Sequence, residues 1–172
     1  MTGRQHQQRF ESLLREHRRI VFKVAGVYAG NAQERDDLVQ EICAQAWRSF
    51  GGYDERRAKF STWMYRIALN VAISQLRRAS GQAGRFEPLQ AWHLDSITGE
   101  AVAEPDERLG ALYDFIGRLE PLNRALILLH LEDRSYAGIA EVLGISETNV
   151  ATKINRIKQK LRGQMATTTN GA

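Results

Sequence analysis

Three positions near the end of the chain restrict its backbone more tightly than any others. In SYAGIAEVLGISETNV, residues 135–150, Ala140 is small, Gly144 stands four residues later and Val150 six beyond that. A small side chain lets two helices approach closely, glycine permits the turn between them, and an apolar residue docks the second helix on the first. Ser135 and Ser146 each stand where a helix start needs a capping hydroxyl. The spacing predicts a helix over Tyr136–Leu143, a turn, and a second helix over 147–161. Val150, Ile154, Ile157 and Leu161 then form one apolar stripe. Asn149, Thr152, Lys153 and Arg156 are read on the opposite face, and residues 150–162 hold five basic side chains and no acidic one. That composition suits a helix that enters a groove of nucleic acid, with Lys158 adding a phosphate contact. An ordinary helical hairpin with a solvated basic face is the competing reading.

The rest of the chain is helical in pattern too. Phe10, Leu13, Leu14, Val21, Val24 and Val27 keep helical spacing, with His17 filling the gap in the stripe. Gly30 and Asn31 read as a stop, both able to take a left-handed cap. Leu38, Val39, Ile42, Cys43, Ala46, Trp47 and Phe50 share the face of a second helix, ended by Gly51 and Gly52. A third helix is predicted over 61–78 with Ser61 as its N-cap. Beyond Asp106, Leu109, Leu112, Phe115, Ile116 and Leu119 fall in register, and Pro121 suits the first turn of the helix that carries Ala125, Leu126, Leu128 and Leu129. No segment shows convincing strand alternation, so the fold class expected is all-α.

Between these halves the pattern lapses. Gly81, Gly84, Pro88, Gly99 and Pro105 punctuate a stretch in which Arg85 faces Glu87, Asp95, Glu100 and Glu104. It is longer than loops inside compact domains usually are and reads as a flexible acidic linker. The expected division is a first domain at 1–79, a linker at 80–105, a helix-turn-helix domain at 106–165 and a disordered tail at 166–172. With 172 residues, 43% of them hydrophobic, each domain folds around a thin core.

Two helices carry opposite charge. Residues 56–78 hold six basic side chains and no acidic one, interleaved with Phe60, Trp63 and Tyr65. Cations grip phosphates and aromatic faces receive unstacked bases, so the segment suits melting or single-stranded DNA. The alternative is core aromatics beside solubilising arginines. The preceding helix starts with Glu34, Asp36, Asp37 and Glu41, and its polar face presents Asp37, Gln40, Glu41 and Gln45. That face is either a solvated surface whose carboxylates favour the helix dipole, or a protein-docking surface that repels DNA.

Other chemistry is thinly represented. One cysteine, Cys43, excludes an intramolecular disulfide and suits a reducing cytoplasm. The longest purely apolar run, 125–129, is far too short to span a bilayer, so no membrane insertion is expected. His6, His17, His93 and His130 are scattered and give no metal-ligand spacing with Cys43. There is no glycine-rich phosphate loop and no carboxylate pair placed for acid–base work. Neither a cofactor, a metal nor an enzymatic activity is expected. The net charge of +4 permits nucleic-acid binding.

Three runs resemble one family. Residues 36–47 (DDLVQEICAQAW) resemble the helix by which bacterial RNA polymerase sigma factors grip the polymerase clamp. Residues 60–72 (FSTWMYRIALNVA) resemble the helix that recognises the melted minus-ten element, and residues 136–162 the module that reads the minus-thirty-five element. Their order is similar to that of the extracytoplasmic-function (ECF) group, which keeps only these two domains. The resemblance implies that Asp37, Gln40 and Glu41 dock on core polymerase, whose clamp and flap are the expected contacts. It implies that Lys59, Phe60, Trp63, Arg66 and Asn70 lie at the minus-ten strand of promoter DNA. It implies that Asn149, Thr152, Lys153, Arg156 and Lys158 face the upstream element, and that an anti-sigma factor is a further partner. Where the family commonly has TVKSRL, this chain has NVATKI at 149–154, with Ala151 for a basic residue and Lys153 for an arginine. Lysine binds as a point charge without the bidentate fork. The departure bears on which upstream bases are read, not on the mode of binding. A stand-alone helix-turn-helix regulator would need neither the acidic nor the aromatic basic helix. A protein-only scaffold or a small nuclease would fit these runs less well still.

Overall fold

Residues 2–80 and 107–170 are described by a computed structural model, and among them every regular element is helical. Residues 81–106, which include all of the expected linker at 80–105 except its first residue, lie outside the described residues, as do 171–172 of the expected tail.

Helix α1 (Gly3–Glu16) starts in a reciprocal cap: the Gln5 N–H donates to Thr2 Oγ1 and the Thr2 N–H donates to Gln5 Oε1. It stops at His17, whose N–H donates to Leu13 O at 3.1 Å, before α2 (Arg18–Tyr28) begins. The single stripe expected from Phe10 to Val27 is therefore two helices. Hydrophobic spacing runs through the break, but at His17 the backbone leaves helical geometry (φ −112°, ψ 17°), and its ring Nδ1 also lies 2.9 Å from Leu13 O. Helix α2 buries Ile20, Val21, Val24, Ala25, Val27 and Tyr28 and forms the centre of the first domain.

No left-handed stop occurs at Gly30 or Asn31. Ala29 ends α2 in extended geometry, and Asn31 instead caps α3 (Ala32–Ser49) by accepting from the Glu34 N–H at 2.9 Å. Leu38, Ile42 and Ala46 bury one face of α3, and a 3-10 turn at Phe50–Gly52 ends it. Helix α4 (Phe60–Ser80) begins one residue before the expected Ser61 cap, with the Trp63 N–H on Lys59 O. It buries Met64, Ala68, Leu69 and Ala72 and packs against both α2 and α3.

In the second domain α5 (Glu107–Arg118) leads to α6 (Pro121–Leu131), where Pro121 occupies the first turn as expected. Asp133 follows at φ +58°, a left-handed residue that closes the end of α6. Helix α7 (Tyr136–Leu143) is capped by Ser135, whose Oγ accepts from the Gly138 N–H at 3.0 Å. Gly144 turns the chain at φ +69°, donating to Ala140 O at 2.9 Å. Helix α8 (Glu147–Asn170) starts under the Ser146 cap. It continues to Asn170, through residues expected as a disordered tail; no proline interrupts 147–170, and Gln164, Met165 and Ala166 favour helix.

The two domains also touch. Tyr28 Oη donates to Pro121 O at 2.7 Å, Lys23 pairs with Glu132, and one hydrophobic cluster runs from Phe10 to Ile157.

Candidate nucleic-acid and protein interfaces

Three surfaces carry the residues singled out by the sequence. On α3, Asp37, Gln40 and Glu41 are all exposed, on the side away from Leu38, Ile42 and Ala46. Glu41 accepts from Arg48 at 3.2 Å, an exposed pair that leaves the carboxylates accessible. Val39 and Cys43 sit half-buried on the flank, and burial pushes the Cys43 thiol up, away from nucleophilic reactivity.

Lys59, the residue before α4, and Trp63, Arg66 and Asn70 on it follow the i, i+4, i+7, i+11 rhythm. At about 100° per residue they lie along one line of the helix. Lys59 and Asn70 are exposed, and Trp63 and Arg66 are half-buried. Phe60 is not on that line. It is 5% exposed, with its ring 4.9 Å from His17, 5.6 Å from Tyr53 and 5.3 Å from Trp63. Phe60 thus belongs to an aromatic cluster with Phe10, Trp47, Phe50 and Tyr53, over which the Arg9 guanidinium lies 5.8 Å from the Phe50 ring. The cluster fixes the loop before α4: Tyr53 Oη donates to Ala58 O at 3.2 Å. Sequence reasoning missed Tyr53, although an aromatic beside Gly51 and Gly52 at a helix end was a signal for such an anchor.

On α8, Val150, Ile154 and Ile157 are buried, while Asn149, Thr152 and Arg156 are exposed and Lys153 is half-exposed. Thr152 Oγ1 donates to Thr148 O at 3.0 Å, which leaves its oxygen free to accept. Lys158 does not join them. By helical rotation it falls on the other flank of the buried stripe, where its charge acts on His130. Burial first, and Lys158 second, hold the His130 imidazole below its ordinary value.

Arg66 and Thr62 meet the second domain. Arg66 donates to Glu141 O through Nε at 3.1 Å and Nη2 at 2.6 Å, and Thr62 is buried. A cavity of about 440 Å³ opens beside them, lined by Arg56, Arg57, Lys59 and Arg134 among others.

The chain matches the family models Sigma-70 region 2 over residues 13–82 and Sigma-70, region 4 over residues 109–161. It is 31% identical over 163 residues to ECF RNA polymerase sigma factor SigE of Mycolicibacterium smegmatis, covering 91% of this chain and 62% of that protein. The chain thus spans about three-fifths of the length of that relative. It is 32% identical over 158 residues to the ECF RNA polymerase sigma-E factor of Haemophilus influenzae, covering 83% of this chain and 82% of that one. Its fold is similar to that of the sigma factor RpoE of Bartonella quintana, solved with the anti-sigma factor NepR, at a TM-score of 0.68 and 18% identity over 93% of this chain and 96% of that one. Region 2 therefore coincides with the domain that carries the acidic face of α3 and the basic line of α4, and region 4 with the helix-turn-helix; the chain belongs to the ECF RNA polymerase sigma factors.

Proposed function

We propose that this chain recruits core RNA polymerase through Asp37, Gln40 and Glu41, reads the opened minus-ten strand along Lys59, Trp63, Arg66 and Asn70, and reads the upstream element through Asn149, Thr152, Lys153 and Arg156. The observation that carries this reading is the separation of charge within one small domain. An acidic exposed face on α3 and a basic, aromatic line on α4 are held by the same buried core. The first repels DNA and suits a protein partner; the second attracts phosphate and offers an indole for stacking. Phe60 serves this site by packing beneath Trp63, and Lys158 contributes charge from the far flank of α8. The protein acts by binding, without catalysis or a cofactor, in the bacterial cytoplasm. Polymerase contact by the clamp and flap, and binding of an anti-sigma factor, a class of partner with which the Bartonella protein was solved in complex, complete the proposed set of partners.

The test is co-elution with core polymerase followed by permanganate probing of promoter thymines. Stable co-elution and new thymine reactivity around the minus-ten element are expected. Co-elution without reactivity at any promoter would remove the strand-reading role.

A further inference from the structure

We propose that Asn155 and Gln159 read base edges of the upstream element, extending the reading face of α8 by about one turn beyond Arg156. This rests on the reading of α8 given above and names two residues that it leaves out.

The buried stripe of α8 fixes its outward face. Val150, Ile154 and Ile157 are 0%, 0% and 3% exposed. At about 100° per residue, Thr152 and Gln159 stand opposite the middle of that stripe, and Asn155 and Arg156 lie about 50° to either side. These four side chains keep the i, i+3, i+4, i+7 spacing of one helix face, and all are exposed. From Thr152 to Gln159 the face is about 10 Å long, close to the rise of about three base pairs.

Cations stand at both edges of this face. Lys153 and Lys160 share one line along the helix, and Lys158 and Arg162 share another on the opposite side. From Val150 to Arg162 no carboxylate interrupts them. Phosphate contacts position a helix on DNA and base contacts specify sequence, so cations belong at the edges and base-reading groups between them. Asn155 and Gln159 lie between the edges, and each carries a carboxamide with an acceptor and a donor side by side. In the major groove adenine offers N7 as acceptor and N6–H as donor, the complementary pair. An amide therefore selects adenine there, whereas Arg156 suits guanine.

The test is transcription by core polymerase carrying the full chain, from a library in which each upstream base pair is varied. Variants N155A, Q159A, Q159E, R156A and K160A are compared with wild type. Both new sites are exposed and alanine favours helix, so the variants are expected to fold. N155A and Q159A should each lose preference at one base pair, by about 5- to 150-fold, and leave the others unchanged. Q159E keeps the size of the side chain but loses its N–H donor. It should exchange adenine at that pair for cytosine, whose N4–H it accepts. K160A, the control for a phosphate contact, should lower all promoters alike and flatten the salt dependence. Unaltered base preference in N155A or Q159A, or one common factor across the library, overturns the proposal for that residue. A Q159E variant that still prefers adenine overturns the amide contact. If R156A relaxes one base pair while N155A and Q159A relax none, this inference alone fails. If wild type itself shows no upstream preference, the reading of α8 fails with it.

Discussion

Arg66 on α4 gives both Nε and Nη2 to the backbone carbonyl of Glu141 on α7, at 3.1 and 2.6 Å. A side chain proposed to contact the minus-ten strand is thus held by the protein's own second domain. The flanking members of its line, Lys59 and Asn70, are free of that cover.

Reversing charge at Asp37 and Glu41 together should abolish co-elution with core polymerase. Both are exposed and project away from the core, so stability should change by only about 0.5 kcal/mol. Thermal unfolding by circular dichroism checks the second half. A variant that unfolds at the wild-type temperature and still co-elutes would remove the docking role of α3.

Asn70→Ala should slow promoter opening while leaving polymerase binding intact. The substitution deletes an exposed amide and raises helix propensity, so a folding defect is not expected. Permanganate reactivity measured against time reports it; wild-type opening would mean that Asn70 reads nothing.

Arg156→Ala and Lys158→Ala should behave differently, because the two lie on different flanks of α8. Arg156→Ala should relax preference at one upstream base pair, worth about 1–3 kcal/mol of discrimination. Lys158→Ala should shift all upstream elements alike and raise the pKa of His130, since Lys158 is one cause of its depression. Burial, the larger cause, remains, so His130 still protonates less readily folded than unfolded. Its contribution to stability is therefore present above the ordinary imidazole value of 6.5 and is lost as pH falls through that value toward the folded one. A library of upstream elements and a histidine titration by NMR give the two readouts. A common factor across the library for Arg156→Ala would make it a phosphate anchor instead.

Gly144→Ala should destabilise the helix-turn-helix by about 1–2 kcal/mol, the cost of a left-handed conformation for a residue with a Cβ. No neighbouring atom lies within 4 Å of the position a Cβ would take, so the cost is set by the φ of +69° and not by a clash. Urea unfolding measures it, and an unchanged midpoint would contradict the argument.

These surfaces were legible to different degrees in the sequence. The Ser135 and Ser146 caps and the Gly144 turn could be read because each is decided within a few residues. The break at His17 could not, because apolar spacing continues across it and only backbone geometry ends the helix. Phe60 could be read as aromatic but not as buried, since its partners His17 and Tyr53 come from other elements. Lys158, expected as a phosphate contact, lies by helical rotation on a different flank of α8 from Arg156. The Tyr28–Pro121 bond joins residues 93 apart and leaves no local trace.

The most direct measurement is run-off transcription with core polymerase, with and without this chain, from a promoter library randomised at the upstream and minus-ten elements. The account predicts transcripts that require the chain, start at a fixed distance from the selected elements, and disappear when Asp37 and Glu41 are reversed. Transcripts of equal yield and start without the chain, or none from any member of the library, would contradict it.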